Sequence, residues 1–139
     1  MRWWFACFGL LGSSVAAQAA WFTVMGNPSD PAVDSVQVDP VAIRITGERR
    51  IMNLRVSRSQ DRANWEGVPY RSYEARVAFD CRARTAEYRF ARFYMAALWQ
   101  GEAHATTDYS NKPRPVRFMD MKPNPTDRIV RAACHHTAQ

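Results

Sequence analysis

The sequence predicts an α+β domain: a mainly antiparallel β-sheet with one C-terminal helix, fastened to it by a disulfide. Three observations carry this expectation. Side chains over residues 70–81 alternate with a period of two, the mark of a half-buried strand. After Asn124-Pro125 the apolar period becomes helical. Of the three cysteines, Cys7 falls inside an N-terminal export segment, which leaves Cys81 and Cys134 in the mature chain.

Residues 1–19 have the parts of a signal peptide: Arg2 beside the free amine, an apolar stretch over residues 3–15, and the small-x-small site Ala17-Gln18-Ala19. Cleavage is expected before Ala20, with an uncleaved N-terminal anchor as the alternative. The apolar stretch is shorter than the roughly 20 residues a spanning helix needs, so no stable membrane insertion is expected. Cys7 sits too early in that stretch to be a lipid-anchored cysteine. Residues 20–139 are expected to form a single domain, small enough to gain from a staple. In an oxidising compartment a Cys81–Cys134 bond closes a loop of about fifty residues, worth about 4 kcal/mol on loop entropy. Two free thiols or half a metal site are the alternatives.

Residues 21–25 are expected as a first strand, ended by turn residues from Gly26 to Pro31. Residues 33–39 follow, with Val36 and Val38 on one face. Beyond Pro40, Val41, Ile43 and Ile45 alternate with Ala42 and Arg44. Thr46-Gly47-Glu48 turns the chain, and Met52, Leu54 and Val56 then alternate with Asn53, Arg55 and Ser57, which predicts a β-hairpin. Residues 57–69 are polar and charged and are expected as an exposed loop able to carry binding contacts, with Trp65 as a lid on the core and a ligand platform as the alternative.

The clearest strand follows, with Tyr73, Ala75, Val77, Phe79 and Cys81 inward and Ser72, Glu74, Arg76 and Asp80 outward. Ala86, Tyr88 and Phe90 continue the inward set on the next strand. A phase slip at Ala91-Arg92 predicts a β-bulge, after which Phe93, Met95, Ala97 and Trp99 face inward. Gly101 permits a turn into another strand over residues 102–107. Residues 108–123, with three prolines, predict an extended loop draped over the domain. Asn124 then caps a helix, Pro125 suits its first position and Asp127 suits the positive end of its dipole. Ile129, Val130, Ala133 and Cys134 share one face, turning Cys134 toward the sheet.

The formal charge is +6, falling to +5 without Arg2, and with only Lys112 and Lys122 as lysines the excess is arginine. A basic exported protein suits an acidic partner: anionic lipid head groups, acidic polysaccharide or an acidic protein patch. Nucleic acid is not expected. Charge that only keeps the domain soluble explains the same excess. Arg49, Arg55, Arg76, Arg89 and Arg92 lie opposite the apolar sets, with Arg82 and Arg84 in a connecting turn. They predict an arginine-rich outer sheet face suited to carboxylates or sulfates.

No catalytic constellation stands out. There is no G-x-S-x-G elbow, and the glycines that follow the export segment are isolated in turns, which excludes a phosphate-cradling loop. His104 and Asp108 near a serine are one candidate hydrolase pair, and paired carboxylates for hydrolysis would have to come from Asp80, Glu74, Glu87 or Glu102 across strands, with nothing in the sequence fixing their separation. His135 and His136 beside Cys134 point about 100° apart on a helix and grip one ion poorly. No enzyme activity, cofactor or metal is expected.

Several landmarks together resemble the bacterial surface-adhesin protein E family. They are Trp21 just after the signal, Val38-Asp39-Pro40 followed by Ile43 and Arg44, Tyr70-Arg71-Ser72, Phe79-Asp80-Cys81, Tyr94 with Gly101-Glu102, and the helix closing at Cys134. The resemblance implies an antiparallel sheet with a disulfide-fastened helix and an adhesin-like binding module, non-enzymatic and exported to the periplasm or cell surface. Its partner would be a host extracellular protein or an acidic envelope component. The alternative is a periplasmic envelope accessory protein binding an acidic glycan or lipid head group. Basic loop residues Arg58, Arg62, Arg71, Lys112, Arg114 and Arg117 are the candidate binding surface, and a sheet edge leaves a route to a homodimer. Asp39 and Asp80 are expected to accept backbone hydrogen bonds at strand ends.

Overall fold

Period-two alternation builds an eight-stranded antiparallel sheet from β1 (Phe22–Met25), β2 (Ser35–Val38), β3 (Arg44–Thr46), β4 (Arg49–Ala63), β5 (Pro69–Asp80), β6 (Thr85–Tyr94), β7 (Ala105–Asp108) and β8 (Arg114–Pro115). A computed structural model describes residues 20–135. The export segment with Cys7, and His136, lie outside the described residues. The strand order is β1-β2-β4-β5-β6-β7, with β3 also pairing β4 and β8 also pairing β6.

One face carries the core. Val36, Leu54, Val56, Val77 and Phe79 are essentially removed from solvent there, and Leu54↔Ala75 and Met52↔Val77 set the central register. Helix α1 (Thr126–His135) covers part of this face with Ile129, Val130 and Ala133 buried. Asn124 caps it as expected, its Oδ1 accepting from the Thr126 amide at 2.9 Å. The Cys81–Cys134 disulfide joins helix to sheet with the two α-carbons 5.6 Å apart. The long loop before the helix covers more of the face through buried Tyr109, Val116, Phe118 and Met121.

Four sequence expectations are corrected. First, β4 does not end at Ser57 but runs to Ala63, with a register irregularity between Ser57 and Arg62. Residues 57–69 are thus mostly strand, with a turn at 64–68. Arg58, expected at an exposed loop position, is buried, because Asp34 and Asp120 neutralise it there. Second, Val41, Ile43 and Ile45 are exposed. β3 pairs only the first residues of β4, while α1 packs mainly on β1, β2 and β5, so this stripe stays uncovered.

Third, the bulge lies earlier than Ala91-Arg92. Phe90 pairs with Arg76 and Tyr88 with Val77, which leaves Arg89 as the extra residue. Ala91 and Phe93 then return to the core face while Phe90 turns away from it, under the Arg76 guanidinium at 5.1 Å. β6 ends at Tyr94, so Met95, Ala97 and Trp99 do not extend the inward set.

Fourth, the outer face is not an open arginine plane. A 3-10 turn at Ala97–Trp99 is tied onto it, the Leu98 amide donating to Ser57 Oγ (2.9 Å) and the Trp99 amide to Ser72 Oγ (3.0 Å). Arg55 lies between the rings of Trp21 and Trp99, 4.4 and 4.0 Å from their centroids. Asp39 and Asp80 act as expected, their Oδ1 atoms accepting from the amides of Val41 and of Arg82 and Ala83.

Candidate functional site

Beyond the part of the core face that α1 covers lies a cavity of about 520 Å³, within the range of small-ligand sites. Its floor is aromatic. Tyr70 and Tyr73 come from β5, Tyr88 and Phe93 from β6, and Tyr109 and Phe118 from the long loop. The rings interlock edge-on, with centroids 5.3 Å apart for Tyr70–Tyr73 and 5.8 Å for Tyr73–Tyr88. The Tyr73 and Tyr88 hydroxyls share a hydrogen bond of 2.5 Å.

Burial holds these phenols neutral. Tyr73 and Tyr88 are both pushed well above the ordinary tyrosine value, chiefly by desolvation. Tyr109 is raised to about 12, first by desolvation and then by Glu66, whose carboxylate accepts its hydroxyl at 3.0 Å. The floor therefore offers ring faces without charge at neutral pH. Trp65 stands at the edge, its ring centroid 5.9 Å from that of Tyr88 and 6.1 Å from that of Tyr109. At 51% exposure it is a wall of the cavity as well as a lid on the core.

The mouth is charged with both signs. Arg58 binds Asp34 at 3.1 Å and also Asp120, and Arg62 shares that same Asp120. Desolvation opposes ionisation of Asp34, but the Ser59 amide and the Arg58 guanidinium outweigh it and hold its carboxyl below the usual range. Arg117 also reaches the mouth, is exposed, and makes no ion pair among the described residues. Asp61 completes the rim.

Of the six arginine and lysine residues singled out from the sequence, three thus gather at one cavity: Arg58, Arg62 and Arg117. Arg114 stands next to it, its guanidinium 5.4 Å from the Trp65 ring centroid and 3.6 Å from Glu66. Arg71 does not line the cavity; it is tied to the backbone, donating to the carbonyls of Arg58, Ser59 and Pro31, and its Nη1 lies 3.9 Å from the rim carboxylate of Asp61. Lys112 is exposed in the turn after Tyr109 and does not line the cavity. The alternation places Tyr73 and Tyr88 in the core but does not show that they form a floor with Tyr70 and Tyr109. The available signal was tyrosine, an aromatic with a polar handle, at inward positions of two consecutive strands, Tyr73 on β5 and Tyr88 on β6.

His104 is exposed with Nε2 2.7 Å from the Pro69 carbonyl oxygen, and Asp108 accepts from the Ser110 amide. Among the described residues no hydrogen bond joins His104 to a serine or carboxylate, and no group of three or more His, Cys, Asp or Glu side chains is placed to hold a metal ion.

The family model described as surface-adhesin protein E matches residues 21–135, most of the chain. The chain belongs to the surface-adhesin protein E family. No curated protein and no solved structure matches it. Membership of the surface-adhesin protein E family implies an exported cell-surface protein with a non-enzymatic role that binds host or extracellular components. Among the described residues no helix is long and apolar enough to cross a membrane.

Proposed function

We propose that this member of the surface-adhesin protein E family acts outside the outer membrane as a non-enzymatic binding module, and that the face bearing the aromatic cavity meets its extracellular partner. The observation that carries the reading is the family match over residues 21–135. The cavity supports the choice of face. It pairs half-exposed Trp65 with Arg62 and with Arg117, which makes no ion pair among the described residues, and aromatic and arginine side chains are the types that anchor contacts. The disulfide suits an oxidising exterior.

Beads coated with the purified, disulfide-bonded protein test the reading on surfaces coated with extracellular-matrix material. Retention above uncoated beads is expected, with a fall for beads carrying the double variant Trp65→Ala, Arg117→Gln. Retention equal to uncoated beads would refute a binding role. Unchanged retention of the variant would move the contact to another face.

A further inference from the structure

We propose that the aromatic cavity takes a carboxylated sugar residue of an extracellular glycan. The inference rests on the binding reading above and names the ligand class of that site. Floor and mouth together select this ligand, because each simpler ligand chemistry fails at one of them.

A hydrocarbon chain would suit Tyr70, Phe93 and Phe118 but would strip water from Asp61 and Asp120 at the mouth without replacing their hydrogen bonds. A sulfated polyanion would suit Arg62 and Arg117 but would meet those same two carboxylates. A pyranose ring with one carboxylate satisfies both parts. Its C–H face lies on aromatic rings, its hydroxyls donate to Asp61 and Asp120, and its carboxylate takes a guanidinium fork.

The charge balance points the same way. Arg58, Arg62, Arg71 and Arg117 face Asp34, Asp61 and Asp120 in and beside the mouth, one positive charge in excess. Two of those arginines are already held by Asp120 and Arg71 is tied to the backbone, which leaves Arg117 as the one whose donors remain for a ligand anion. Arg114, stacked near Trp65 and paired with Glu66, stiffens the aromatic wall rather than reaching the mouth. A single carboxylate per sugar matches a single uncommitted guanidinium.

The test uses the purified, disulfide-bonded protein with a galacturonic acid trisaccharide and its methyl ester, which keeps the rings and removes the charge. Titration is followed on the indole N–H resonance of Trp65 by heteronuclear NMR. The acid is expected to shift that resonance saturably and to bind about fivefold more tightly than the ester. Arg117→Gln should remove that preference, bringing acid and ester to equal affinity. Trp65→Ala, followed by calorimetry, should weaken both by about tenfold. Because Trp65 and Arg117 are exposed, both variants are expected to keep the wild-type fold, with Trp65→Ala shifting only resonances of the residues its ring touches.

A silent Trp65 resonance at millimolar trisaccharide, or equal affinity for acid and ester, overturns the proposal. If beads are retained by matrix material while Trp65 stays silent, the binding reading stands and the sugar assignment falls. Retention that persists after enzymatic removal of the matrix glycans gives the face to a protein partner, and overturns the sugar assignment in the same way.

Discussion

Arg50 of β4 and Cys134 of α1 meet across 84 residues of chain, the guanidinium Nη1 donating to the Cys134 carbonyl oxygen at 3.0 Å. The same nitrogen lies 2.9 Å from the sulfur of Cys81. A cation from the sheet thus satisfies a carbonyl in the last turn of the helix, where the dipole favours positive charge, and sits against the disulfide that fastens it. Arg50→Ala removes this charged donor from the part-buried carbonyl and from beside the disulfide. A loss of about 2 kcal/mol in urea unfolding is expected, with faster amide exchange confined to the last turn of α1. Exchange that changes uniformly over the chain would contradict the local role.

Cys134→Ser removes the covalent tie itself. In oxidising buffer the variant should lose about 3–4 kcal/mol relative to the parent, and in reductant the two should unfold together. Equal stability in both buffers would mean that helix packing through Ile129, Val130 and Ala133 holds the tail without the bond.

Stability should also depend on acid through Asp34. Its folded-state pKa lies below the ordinary value of 3.8, so its contribution is present above that pH and is lost as the pH falls through the folded value. Asp34→Asn should therefore destabilise at pH 6, and the gap from wild type should close on acidification below about pH 4. Arg58→Ala should cost about 2 kcal/mol at pH 6, discounted for the partly exposed Asp120, because it leaves Asp34 without its cation and Asp120 with Arg62 alone. A constant gap between Asp34→Asn and wild type from pH 6 to 2.5 would show that the ion pair contributes nothing.

The cavity floor predicts an alkaline signature. A phenol with a raised folded pKa stabilises the fold below its unfolded value near 10, and that contribution goes as the pH climbs through the folded value, about 12 for Tyr109. At about pH 11 the native protein should therefore show much less phenolate absorbance than the same protein in denaturant. Equal absorbance in the two would place Tyr73, Tyr88 and Tyr109 in water and remove the floor.

Some of this architecture is legible in the sequence and some is not, for identifiable reasons. Tyr73, Ala75, Val77 and Phe79 alternate with polar residues, so the face of β5 reads directly. The cap at Asn124 and the helical face of Ile129, Val130 and Ala133 are equally local signals. The second half of β4 is not local. Arg58 and Arg62 look like solvent residues until Asp34 and Asp120, 24 and 62 residues from Arg58, are brought to them.

The bulge is misplaced by sequence because Phe90, an apolar residue, packs on the outer face against Arg76. The cavity escapes for a related reason. Inward tyrosines read as core, and no pattern in residues 117–120 announces that the loop lines an opening rather than closing it. Arg117 and Arg62, far apart in the chain, gain a common role only once β4 extends and the loop folds back.

Digestion of intact cells by an added protease, followed by immunoblotting for this protein, tests the surface reading most directly. The account predicts that the protein disappears from intact cells while a periplasmic control survives. Survival on intact cells, with loss only after the outer membrane is permeabilised, would place it inside the envelope and contradict the adhesin role.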